Sequence, residues 1–90
     1  MSTTARTILI TNRRGLHARA SAKFVNLASE MAAKVEVEKD GNRVCGTSIM
    51  GLMMLGAAMG DTIVIHCAGD GCNESIEQLA QLVESRFGED

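Results

Sequence analysis

The residues best equipped for chemistry lie in one run, Asn12-Arg13-Arg14-Gly15-Leu16-His17-Ala18-Arg19-Ala20. An imidazole is a nucleophile through whichever ring nitrogen carries no proton. Around His17 stand three guanidinium groups, Arg13, Arg14 and Arg19, which are permanently charged and suited to phosphate geometry. A neutral ring among fixed cations fits attack on phosphorus, followed by stabilisation of the dianion left on the ring.

That chemistry needs an element to hold the ring. Ala20, Phe24, Leu27, Ala28 and Met31 recur with helical spacing and form one apolar face. His17 therefore falls where a loop enters a helix. Up to four backbone N–H groups lack a helical partner there, and their partial positive charge favours an anion and disfavours an imidazolium. Equally, a histidine at a helix start serves as a cap or a surface residue, and arginines beside it serve as solvated charge. Residue types alone leave both roles open.

The remaining elements follow from local pattern. Thr7–Thr11 reads as a strand, broken by the turn formers Asn12 to Gly15. Lys34–Lys39 alternates, with Val35 and Val37 on one face and Glu36 and Glu38 on the other. Asp40-Gly41 signals a tight hairpin, and Asn42–Cys45 is the return strand. Ser48 is placed to cap a short helix from Ile49 to about Leu55, closed by Gly56. Asp61–Cys67 is a fourth strand, with Ile63, Ile65 and Cys67 facing one way and Thr62, Val64 and His66 the other. A last helix runs from about Glu74 to Phe87 with Asn73 as its cap.

The order βαββαβα predicts an α+β fold. Four antiparallel strands carry three helices on one face, an open-faced β-sandwich, in a single domain over residues 1–90. Ninety residues support one core and no more.

Composition excludes several functions. With two Phe and no Tyr or Trp, base stacking has no platform. A net charge of −2 argues against nucleic acid or an anionic membrane as a partner. No stretch approaches the roughly 20 apolar residues of a membrane span. Met1 to Arg6 lacks the apolar core of a signal peptide. Cys45, Cys67 and Cys72 are an odd number without framework spacing, so they read as reduced thiols in the cytoplasm.

A metal or redox site from His66, Cys67 and Cys72 is disfavoured, because strand alternation sends His66 and Cys67 to opposite faces. Cys67 reads as core and Cys72 as a loop thiol. No metal or cofactor is called for. There is no second acid–base group and no nucleotide loop, so an independent enzyme is not expected.

Gly15-Leu16-His17-Ala18-Arg19-Ala20-Ser21-Ala22 resembles the Gly-Leu-His-x-Arg-Pro-Ala signature of HPr, the histidine-containing phosphocarrier of the phosphoenolpyruvate-dependent phosphotransferase system (PTS). Ser48-Ile49-Met50-Gly51-Leu52-Met53-Met54-Leu55-Gly56 resembles the regulatory serine motif of the same family. The resemblance covers essentially the whole chain. It implies a monomeric phosphocarrier. His17 would be phosphorylated by Enzyme I, on the ring nitrogen nearer the backbone, and would pass the group to an EIIA-type protein. Arg19 would steady the phosphoryl group.

The resemblance also implies phosphorylation of Ser48 by an HPr kinase/phosphorylase. Phosphate at a helix N-terminus is electrostatically tolerated, and its charge would repel an acidic partner. Arg13, Arg14, Ala20, Ile49, Met50 and Met53 are the expected partner surface, and flexible methionines suit a surface that meets several partners. Ala20 departs from the family proline, which predicts altered transfer rates or partner fit without loss of function. The active-site run leans toward the nitrogen-related regulatory branch over the sugar-uptake branch. The alternative from another class is a ligand-sensing or protein-interaction module on the same scaffold, which would need no nucleophile.

Overall fold

The computed structural model describes residues 3–89. Its elements are β1 (Thr3–Leu9), α1 (Ala18–Ser29), β2 (Lys34–Lys39), β3 (Asn42–Cys45), α2 (Ile49–Met54), β4 (Thr62–Ala68) and α3 (Cys72–Glu84), followed by a 3₁₀ turn over Arg86–Gly88. The strands form one antiparallel sheet in the order β1-β4-β2-β3. This is the expected α+β architecture.

Period-two alternation sorts the sheet into two faces. Ile8, Val35, Val37, Ile63, Ile65 and Cys67 are buried in the core with Phe24, Leu52 and Leu79 from the helices. Glu36, Glu38, Thr62 and His66 lie on the other face, as expected. There Glu38 Oε1 is 2.8 Å from His66 Nε2, and Arg43 Nε donates to Glu36 Oε1 at 3.0 Å. The hairpin is as predicted: Asp40 and Gly41 both have positive φ, 51° and 83°.

Strand β1 differs from its expected limits. It starts at Thr3 and ends at Leu9, pairing along its length with β4 from Thr3↔Ala68 to Leu9↔Thr62. The Thr3–Arg6 stretch has no apolar alternation of its own and is strand only because β4 offers it a ladder. Beyond Leu9 the chain leaves the regular ladder, although Ile10 N–H still donates to Asp61 O at 2.8 Å.

Helix α3 also differs. It begins at Cys72, and Gly71, in the left-handed region at φ 71°, is its N-cap. Asn73 is exposed inside the first turn and does not cap. The reason is the phase of the apolar face: Cys72 joins Ile76, Leu79, Ala80 and Val83 in the core. Cys72 is thus a buried helical residue and not a loop thiol. The α-helix stops at Glu84, and Phe87 reaches the core from the 3₁₀ turn.

Candidate functional site

His17 is the N-cap of α1, with extended backbone at φ −73° and ψ 178°. Its Nδ1 accepts the N–H of Arg19 at 3.3 Å, so one orphan donor of the helix end is met by the ring. Nδ1 must then carry the lone pair. The other nitrogen, Nε2, lies 2.5 Å from Glu89 Oε2, and a carboxylate only accepts, so Nε2 holds the proton. Two partners thus assign the same tautomer. The ring and the Glu89 side chain are both largely covered, at 15% and 18% exposure.

The loop before α1 is built to hold this position. Gly15 has φ +60°, and a Cβ there would lie 2.2 Å from Ala57 O. Only glycine fits that approach. Leu16 N–H donates to the same carbonyl at 2.9 Å, tying the loop to the segment after α2. Ser21, fully buried, donates its hydroxyl to Leu16 O at 3.1 Å.

Arg13, Arg14, Arg19 and Lys23 line one depression of about 380 Å³ together with Gly88 and Glu89. The three arginines expected around His17 therefore do meet there, exposed. Lys23 Nζ donates to Phe87 O at 2.6 Å, which anchors the C-terminal segment. The Glu89 carboxyl is held below its ordinary value by the Asn12 amide first, with His17 and Lys23 adding to the effect. It is a carboxylate at neutral pH.

Ser48 caps α2 as expected, its Oγ accepting the N–H of Gly51 at 3.0 Å. Leu52 is buried, whereas Ile49, Met50 and Met53 are 39%, 68% and 41% exposed. These apolar side chains do not line the arginine-rich depression; they stand on a helix that packs against α1. Ala20 is a correction: it is fully buried, so its side chain is core and offers a partner no surface.

Glu89 is not marked by any sequence motif and Asn12 reads there as a turn former; nothing in the local pattern at either end signals their meeting. Met54 and Met59 are also exposed. Cys45 is exposed, and its thiol is pulled below the ordinary value by the Thr47 hydroxyl. Cys67 is pushed up by burial and by its neighbour Cys72. Among the described residues no three of His, Cys, Asp and Glu come together as a metal would require, and no helix is long and apolar enough to cross a membrane.

A family model for the PTS HPr component phosphorylation site matches residues 4–85. The phosphocarrier protein HPr of Neisseria meningitidis serogroup B is 48% identical over 82 residues, covering 91% of this chain and 92% of the relative. The phosphocarrier protein NPr of Shewanella violacea is 34% identical over 89 residues, 99% of this chain and 98% of the relative. Among solved structures, an HPr from Thermoanaerobacter tengcongensis superposes with a TM-score of 0.92 at 44% identity, covering 97% of this chain and 98% of that one. With the family model spanning nearly the whole fold and a histidine held at the start of the first helix, the chain belongs to the HPr family of PTS phosphocarriers.

Proposed function

We propose that His17 is the phosphoryl acceptor and donor of this carrier, loaded by phospho-Enzyme I and unloaded onto an EIIA-type protein. The observation that carries this reading is the pair of contacts on its ring: the proton sits on Nε2 against Glu89, and Nδ1 keeps its lone pair. In the forward step the Nδ1 lone pair forms the bond to phosphorus. The bond from phosphorus to the donor breaks, and the donor keeps that electron pair. No proton leaves Nδ1, because it carried none.

The ring then holds its Nε2 proton and a positive charge, which Glu89 offsets. The N–H of Arg19, released from Nδ1, becomes available to a phosphoryl oxygen, as does the helix end as a whole. Arg19 adds its guanidinium, and Arg13 and Arg14 raise the local potential on a globally acidic chain, which suits docking to acidic surfaces. A positively charged ring is a better leaving group than a neutral one, so the same geometry serves the return step.

Ser48 is the proposed regulatory site. The residue is half-buried at a helix N-cap beside Ile49, Met50 and Met53, the proposed apolar docking residues. Phosphate there adds charge to a surface meant for an acidic partner.

Incubation with phosphoenolpyruvate, magnesium and Enzyme I tests the central step. One phosphate, stable to base and labile to acid, is expected on the wild type and none on His17→Ala. A His17→Ala protein that still takes the label overturns the assignment. If the histidine proved dispensable for binding partners and no label appeared, the interaction-module reading would replace it.

A further inference from the structure

Among the described residues, one buried side-chain polar atom has no hydrogen-bond partner: Oδ1 of Asn12. Asn12 is fully buried, so this acceptor has been stripped of water with nothing in return. The other end of the same amide explains the arrangement. Nδ2 donates to Gly15 O at 2.9 Å and to Glu89 Oε1 at 3.0 Å, using both of its hydrogens. Both partners are pure acceptors, so turning the amide over would set oxygen against oxygen twice. The orientation is therefore determined. Asn12 is placed for its donors, and its acceptor is sacrificed to them.

The Glu89 carboxylate stands between two groups. Oε1 takes the Asn12 amide and Oε2 takes the His17 imidazole. Without Asn12 the carboxylate would still be attracted by Lys23, which lines the same depression. Such attraction is weakly directional for exposed side chains and would not choose which oxygen faces the ring. The amide supplies that choice. It also grips Gly15 O, in the turn that delivers His17 to the helix start.

We infer that Asn12 is a positioning residue for the carrier, acting through Glu89 to hold the proton on His17 Nε2 and the lone pair on Nδ1. This rests on His17 being the phosphoryl acceptor and adds the device that orients it. Asn12, Glu89 and His17 form a buried-to-surface chain in which an amide aims a carboxylate and the carboxylate sets a tautomer. The same logic governs the orienting partners of ligating and general-base histidines elsewhere.

The test uses the whole chain and two readouts. The first is the imidazole ¹⁵N spectrum of the unphosphorylated protein, which distinguishes the two neutral tautomers. The second is the initial rate of phosphorylation by phospho-Enzyme I. Asn12→Ala and Glu89→Ala should each raise the share of the ring carrying its proton on Nδ1 and slow phosphorylation by about tenfold. Asn12→Ala should slow the Glu89→Ala protein far less than it slows the wild type, because Asn12 acts mainly through that carboxylate.

A slow Asn12→Ala with an unchanged tautomer, or an equal fold-loss from Asn12→Ala with and without Glu89, would make the role merely structural and overturn the inference. Asn12 also supports the Gly15 turn, so Asn12→Ala is at risk of not folding. Glu89→Ala, at the rim, then decides alone: an unchanged ¹⁵N spectrum rejects the chain of contacts, and a shifted one supports it. The spectrum needs no phosphate donor. A wild type that refused phosphate would defeat the phosphocarrier reading through the rate assay, while the tautomer would still be judged on its own.

Discussion

Glu89 Oε2 lies 2.5 Å from His17 Nε2, across 72 positions of chain. The C-terminal segment thus completes a site whose other parts sit at the start of the first helix. It is brought there by Phe87, which is 1% exposed in the core, and by Lys23, which donates to the Phe87 carbonyl. Arg86 and Phe87 both adopt positive φ, 60° and 55°, which side-chain-bearing residues rarely do. That local strain turns the chain back toward His17 and is held by the Phe87 anchor.

The first prediction concerns acid. The Glu89 carboxyl is held below the ordinary glutamate value chiefly by the Asn12 hydrogen bond, then by His17 and Lys23. A depressed carboxyl contributes stability that is present above its unfolded value and lost as pH falls through the folded one. The contact between Glu89 and His17 should therefore persist through mildly acidic solution and release only below the range in which an ordinary glutamate titrates. NMR titration of the Glu89 carboxyl carbon checks this, and a midpoint at or above that of an unperturbed glutamate would contradict it.

The second prediction concerns Ser48. Ser48→Asp should keep the fold, since Asp also caps helices and is favoured at the N-terminus. It should slow phosphorylation of His17 at low salt, and the inhibition should shrink as ionic strength rises. Ser48→Ala should lose about 1 kcal/mol by urea denaturation through the missing cap, yet transfer phosphate nearly normally. A normal rate for Ser48→Asp in low salt would reduce Ser48 to a cap.

The third prediction concerns Gly15. A methyl group there meets Ala57 O at 2.2 Å and Ala58 Cα at 2.8 Å, with φ at +60°. The opposing atoms are backbone and cannot swing aside. Gly15→Ala should cost roughly 1–3 kcal/mol in chemical denaturation and displace His17 enough to slow transfer. Unchanged stability would mean that the loop does not make this approach in solution.

The fourth prediction separates the site from its support. Arg19 is exposed, so Arg19→Ala should leave stability within about 0.5 kcal/mol of the wild type while slowing transfer. Phe87→Ala should instead cost roughly 3–5 kcal/mol, because it empties a core position. It should also loosen Glu89. Parallel denaturation and phosphorylation assays on the two variants check the contrast, and equal stability losses would refute it.

Much of this molecule is decided by rules that act over a few residues, and those parts were legible in the sequence. The apolar spacing from Ala20 to Met31 sets α1 and puts His17 at its start. Asp40-Gly41 specifies the hairpin through positive φ, and the Ser48 hydroxyl finds the Gly51 N–H three residues on. Alternation in β4 sends His66 to the open face and Cys67 to the core. Other features depend on what the folded chain brings from far away. β1 extends to Thr3 only because β4 pairs with it. α3 starts at Cys72 because the core receives that side chain, and Ala20 is buried by the packing around it. Above all, Asn12 meets Glu89 across 77 positions and His17 meets it across 72. Period and capping carry no information at that range. A turn-forming asparagine and an acidic residue near the C-terminus become an aimed amide and carboxylate only when α3 packs on the sheet and Phe87 enters the core.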